Sequence, residues 1–131
     1  MVTLLRGISL LAVAVTLFGA ETDGTWRSDE RYNGEPRVVI ELRTTAGKIG
    51  GTVVMRGVMD DDNNVTTLNL KIDAPEMSGA TLRFKTKLPD DNVQDWEVTV
   101  SGATATASIV GDNDGPYTTP QTWKMKKQGT S

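Results

Sequence analysis

The sequence contains neither cysteine nor histidine, and these two absences remove much of the common catalytic and metal-binding chemistry. Without histidine there is no imidazole to act as a general base, to complete a catalytic triad or to bind zinc. Without cysteine there is no thiol nucleophile and no disulfide, although small exported domains usually rely on disulfides. We therefore expect a non-enzymatic protein without a cofactor, stabilised by its apolar core and its backbone hydrogen bonds.

Residues 1–20 have the order of charge and hydrophobicity that is typical of a secretory signal peptide. Arg6 precedes an apolar run from Ile8 to Phe18, and the small residues Gly19 and Ala20 follow as a cleavage site. The run is shorter than the about 20 apolar residues that a membrane span requires. We expect the segment to be cleaved and the protein to be secreted or periplasmic, with an uncleaved N-terminal anchor as the alternative.

The predicted mature chain, residues 21–131, has the length of a single domain. Loss of Arg6 leaves 13 basic against 17 acidic residues, a formal net charge of −4. This balance argues against nucleic acid and against an anionic membrane surface as partners, because both attract basic proteins. We expect no membrane span in the mature form, and the sequence leaves the oligomeric state open.

Alternation of apolar and polar residues is the dominant pattern from Arg37 onwards, and it predicts β-strands. A short strand at Gly24 to Ser28 brings the number to eight, and a loop is predicted from Asp73 to Gly79. The residues predicted to share the apolar face are Val38, Ile40, Leu42, Ile49, Gly51, Val53, Met55, Met59, Leu68, Leu70, Ile72, Leu82, Phe84, Leu88, Trp96, Val98, Val100, Ala103, Ala105, Ala107, Ile109, Trp123 and Met125.

Short connections favour antiparallel pairing of each strand with its sequence neighbour. Closing such a sheet into a barrel removes the exposed edges of an open sheet. We therefore predict an all-β fold, an eight-stranded antiparallel up-and-down meander barrel of the lipocalin or calycin type. The alternative is a β-sandwich.

Several short motifs resemble those of small secreted bacterial lipocalin-like domains. They are Gly24-Thr25-Trp26, Gly50-Gly51-Thr52-Val53, Gly79-Ala80-Thr81-Leu82-Arg83-Phe84 and Thr122-Trp123-Lys124-Met125. The resemblance implies a barrel, binding of a small apolar molecule and no catalytic residues. In lipocalins a basic residue late in the barrel packs over the first-strand tryptophan, and Lys124 or Lys126 is the candidate for that position.

The uncharged inner face is the candidate binding site. An eight-stranded barrel either fills its interior with side chains or holds one small ligand. In the second case the walls would select an apolar guest. The predicted ligand contacts are Trp26, Ile40, Val53, Leu70, Phe84, Trp96, Val98 and Trp123; in the first case the same residues are simply the packed core.

The alternative function is that of a solid barrel acting through its exterior as an envelope or surface interaction protein. A strip of outward basic residues is the relevant feature, and we considered it as a surface for polyanions. The strip comprises Arg83, Lys85, Lys87, Lys124, Lys126 and Lys127.

Acidic residues are predicted to gather in the loops at one end of the barrel, because successive loops of a meander alternate between ends. Aspartate and asparagine are common in turns, which explains most of this pattern. Asp60, Asp62 and Asn64 also have the spacing with which an EF-hand loop begins. Val65 stands where the sharp turn needs glycine, so we reject an EF-hand and retain only loose calcium binding by these three residues.

Overall fold

The computed structural model describes residues 22–59, 62–112 and 121–128. The predicted signal peptide, residues 1–20, and Asp60 lie outside these ranges. The strands in the described residues are β1 Gly24–Ser28, β2 Arg31–Tyr32, β3 Glu35–Pro36, β4 Val38–Thr45, β5 Lys48–Met59, β6 Val65–Lys71, β7 Asp73–Ser78, β8 Thr81–Lys87, β9 Val93–Ser101, β10 Thr104–Asp112 and β11 Gln121–Lys127.

Nine of these strands form one antiparallel sheet in the order β6-β5-β4-β1-β11-β10-β9-β8-β7. Most neighbours in the sheet are also neighbours in the chain, whereas β1 pairs with β4 and with the last strand, β11, where Trp26 lies opposite Lys127. The sheet curls into a nearly closed barrel. The all-β prediction and the choice of a barrel over a sandwich are therefore confirmed.

The sheet contains nine strands rather than the predicted eight, because Asp73–Ser78 forms strand β7 where a loop was expected, and β2 and β3 form a separate hairpin. Only Ile72 separates β6 from β7, so the chain before it pairs with β5 and the chain after it pairs with β8. Ala74 has a φ of 49° at a register shift in β7. This β-bulge bends the chain from one neighbour to the other.

Gly51 contacts the chain at Ile72, where the pairing changes from β5 to β8. Its carbonyl accepts a hydrogen bond of 3.0 Å from the Ile72 amide. A Cβ atom added at Gly51 would lie 1.8 Å from the Glu41 carbonyl oxygen, and the φ of 149° is one that other residues rarely adopt. Glycine at this position therefore allows β4 and β5 to approach closely next to Ile72.

The inward residues of the alternating pattern form a single buried core. Its members are Trp26, Val38, Ile40, Leu42, Val53, Met55, Val58, Leu70, Ile72, Leu82, Phe84, Leu88, Trp96, Val98, Val100, Ala105, Ala107, Ile109, Trp123 and Met125. Ala103, predicted to face inward, lies exposed in a turn.

Met59 is a further departure from the predicted pattern. The register of β5 against β6 shifts between Met55 and Val58. One extra residue reverses the side-chain parity of the strand. Val58 is therefore buried, and Met59, predicted to face inward, is 54% exposed.

The small hairpin of β2 and β3 packs against that bulge. Gly57 has a φ of 72°, and a Cβ added there would lie 2.7 Å from the Tyr32 ring. Arg37 lies over the same ring at 5.7 Å and donates a hydrogen bond of 3.1 Å to the Gly57 carbonyl. The absence of a side chain at Gly57 therefore leaves room for the Tyr32 ring.

Candidate functional site

All eight residues predicted to contact a ligand belong to the same buried cluster. Their exposed fractions lie between 0% and 5%. The members are Trp26, Ile40, Val53, Leu70, Phe84, Trp96, Val98 and Trp123. The structure thus brings the predicted residues together, while their role as ligand contacts stays a prediction.

An aromatic stack occupies one part of this interior. The rings of Phe84 and Trp96 have centroids 5.8 Å apart at 9° to one another. Those of Trp96 and Trp123 lie 5.6 Å apart at 23°. A space wide enough for water would leave its lining side chains partly exposed. Because these three residues are at most 4% exposed, the stack is packed on its surroundings.

The indole nitrogens at the two sides of the core are both used in hydrogen bonds. Trp26 Nε1 donates to the Thr22 carbonyl at 2.9 Å. Trp123 Nε1 donates to Glu30 Oε2 at 3.3 Å, and the same carboxylate lies 3.4 Å from Arg37 Nε. Glu30 thereby links the aromatic stack to the segment that carries the β2–β3 hairpin.

Two polar residues in the interior were missed by sequence reasoning. Trp96 Nε1 donates to Thr86 Oγ1 at 3.0 Å, and the Thr86 hydroxyl is 3.4 Å from Gln94 Oε1. Both Thr86 and Gln94 are 0% exposed, and Gln94 Nε2 has no hydrogen-bond partner among the described residues. The signal was available, because both residues lie two positions from predicted inward aromatics, Phe84 and Trp96.

Lys127 occupies the position that the lipocalin resemblance assigned to Lys124 or Lys126. Its Nζ lies 5.7 Å from the centre of the Trp26 ring. Lys124 and Lys126 are exposed, since they alternate with the buried Trp123 and Met125. Lys127 directly opposes Trp26 across the β1–β11 pair, so it can reach the ring.

The predicted basic strip is largely neutralised by neighbouring carboxylates. Arg83 Nε lies 3.4 Å from Glu97, and Lys85 Nζ lies 2.6 Å from Asp95. Two further pairs join Lys87 to Asp91 and Lys126 to Asp29. These are exposed pairs, each of small energetic value. They nevertheless remove the concentrated positive charge that a polyanion surface requires.

The candidate calcium residues are only partly described. Asp62 and Asn64 are exposed in the connection between β5 and β6, and Asp60 lies outside the described residues. Within the described part of the chain, no group of three or more acidic side chains is placed to hold a metal ion.

The described residues form a nearly closed antiparallel β-barrel, and their buried side chains are uncharged. Comparison with protein-family models, with curated proteins and with solved structures found no match to this chain. Within residues 22–59, 62–112 and 121–128, the structure has no helix with the length and hydropathy needed to cross a membrane.

Proposed function

We propose that this protein is an exported, non-enzymatic binding module that works as a solid barrel and presents its partner contacts on its exterior. The observation that carries the proposal is the burial of the inward side chains. Three of them lie on different strands and are each 0% exposed: Ile40 on β4, Val53 on β5 and Val98 on β9. Side chains that already fill the interior leave the outer face and the strand edges for recognition.

Two features support export and kinship with lipocalin-like domains. The order of charge and hydrophobicity in residues 1–20 is that of a secretory signal. The contact between Lys127 and Trp26 is the one that the resemblance implies for the first strand. The absence of histidine and cysteine from the whole sequence supports a non-enzymatic role.

A titration of the purified protein with apolar ligands, followed by tryptophan emission, tests whether the interior is filled. We expect no saturable change, because Trp96 and Trp123 already pack on their neighbours. The Phe84→Ala variant is the matched positive control, since removal of a buried ring opens a dry space that admits a benzene-sized molecule. Saturable one-to-one binding by the unaltered protein would overturn the proposal.

A second candidate function, binding of a small apolar ligand inside the barrel, is favoured by one specific observation. Gln94 Nε2 is buried beside the stack of Trp96, and it has no hydrogen-bond partner in the part of the chain that the structure describes. Unpaired buried donors are rare because each costs about 1–3 kcal/mol. A ligand with one hydrogen-bond acceptor and a flat apolar body would satisfy this amide.

The Gln94→Met substitution separates the two candidates. Methionine keeps the length of the side chain and removes the unpaired amide. The substitution also removes the acceptor of the Thr86 hydroxyl, so in a solid barrel the two effects should largely offset, and the free energy of unfolding in urea should change by about 1 kcal/mol or less. In a ligand-binding barrel the same variant should lose affinity for the ligand found in the titration. Unchanged affinity would remove Gln94 from the second candidate.

A further inference from the structure

Strand β6 has one hydrogen-bonded neighbour among the described strands, and its other edge is free of backbone pairing. The Ile72 amide donates to Gly51 of β5, and residues along an antiparallel strand alternate in the side to which their backbone groups point. The amide and carbonyl groups of Leu68 and Leu70 therefore point to β5. The amide and carbonyl groups of Thr67 and Asn69 point to the free edge.

The sequence of this edge carries little that would prevent pairing with another strand. Val65–Lys71 contains three β-branched residues and no proline, and its single charge is at the last position. Natural edge strands are commonly protected by charge, by proline or by a bulge. Here the bulge opposite β6 lies in β5, and β6 itself remains regular.

An exposed apolar pair lies on the outer face beside the same edge. Met59 and Val65 oppose one another across β5 and β6, and they are 54% and 52% exposed. Outward apolar residues next to a free edge add burial to any strand that pairs there.

We propose that β6 is the interface of a homodimer, in which it pairs antiparallel with β6 of a second copy of this chain. The choice of a second copy follows from self-complementarity. In a register centred on Thr67, threonine opposes threonine and Val65 opposes Asn69, so no two like charges meet. Threonine pairs across antiparallel strands are favourable.

This register also avoids the obstruction near Ile72. β6 and β8 contact one another. At Ile72 the chain stops pairing with β5 and begins pairing with β8. A pairing confined to Val65 to Asn69 stays on the far side of that point. The opposite edge strand, β7, carries Asp73, Pro75 and Glu76, which disfavour the alternative pairing of β6 with β7 of another copy. A closed two-fold dimer is the result.

Sedimentation velocity over a concentration series tests the dimer. We expect the unaltered protein to associate reversibly to twice its monomer mass. The Thr67→Lys variant should weaken association at least tenfold, because the introduced ammonium groups of the two copies face each other across the axis. Thr52→Lys is the matched control, since Thr52 is exposed on β5 but paired on both sides.

A monomer at every concentration would overturn the proposal, and so would a dimer that resists Thr67→Lys or that Thr52→Lys weakens equally. Tryptophan emission of each variant establishes that the barrel is folded before its mass is interpreted. The homodimer is independent of the packed interior. Failure of this test therefore leaves the ligand titration unaffected, and saturable ligand binding leaves the dimer unaffected.

Discussion

The two edge strands of the barrel are consecutive in the chain and yet present different edges. β7 begins with Asp73, contains Pro75 and Glu76, and is bent by the bulge at Ala74. β6 has no charge before Lys71 and no proline. The sheet therefore blocks pairing along the β7 edge and leaves it available along the β6 edge.

The largest expected effect on the free energy of unfolding is at Gly51, next to Ile72, where the chain passes from β6 to β7. Gly51→Ala would place a methyl group 1.8 Å from the Glu41 carbonyl oxygen. We expect a loss of about 4 kcal/mol in the free energy of unfolding, measured in urea, or failure to fold. Gly50→Ala is the control, because a Cβ at Gly50 meets nothing within 4 Å. Equal losses in the two variants would contradict a close approach at Gly51.

Truncation of leucines should distinguish the barrel wall from the edge. Leu82 on β8 is 0% exposed between two paired strands, whereas Leu68 on β6 is only partly buried. We expect Leu82→Ala to cost about 3 kcal/mol and Leu68→Ala about 1 kcal/mol in urea unfolding. A larger loss at Leu68 would show that the β6 edge is as well packed as the wall.

Proline substitutions at neighbouring positions of β6 distinguish the amides that face β5 from those that face the free edge. Leu68→Pro removes an amide that faces β5 and should cost about 2 kcal/mol. Thr67→Pro removes an amide that faces the free edge and, at protein concentrations low enough for the monomer to dominate, should cost about 0.5 kcal/mol or less. Thermal unfolding monitored by circular dichroism measures both. Similar losses would mean that the alternation of backbone groups in β6 is assigned wrongly.

Removal of the charges on β7 is expected to have the smallest effect on stability. Asp73 and Glu76 are exposed and lie opposite Lys85 and Arg83 in the register, but the ion pairs of these two basic residues are with Asp95 and Glu97. Interactions between exposed charges contribute little. The double substitution Asp73→Ser and Glu76→Thr should change the free energy of unfolding by about 0.5 kcal/mol or less. Light scattering should nevertheless show more self-association, because the edge has lost its protection. Unchanged scattering would indicate that the bulge and Pro75 protect β7 alone.

The alternating pattern was sufficient to predict the barrel and most of its core, since apolar parity follows directly from the period of a strand. The pattern gave the wrong orientation where one extra residue in a strand shifts the alternation of inward and outward side chains. The bulge before Val58 reversed the orientation of Met59, and no residue type announces a bulge unambiguously. Ala74 and Pro75 resemble a loop, but tertiary pairing with β8 makes them part of β7.

The candidate site was predicted in its apolar part only. The predicted aromatics do meet, because inward residues of neighbouring strands are necessarily close. Thr86 and Gln94 were missed because their polar side chains suggest solvent exposure, although their parity places them inside. Lys127 was assigned to the outward basic strip, although it has the same parity as the buried Trp123 and Met125 and lies over the Trp26 ring.

Residue-resolved amide hydrogen exchange at low and high protein concentration tests the difference between the two edges most directly. We expect the amides of Thr67 and Asn69 to become protected as the concentration rises, because they face a second copy, while exchange along β7 stays constant. Exchange at Thr67 and Asn69 that is independent of concentration, or protection that increases along β7 instead, would contradict it.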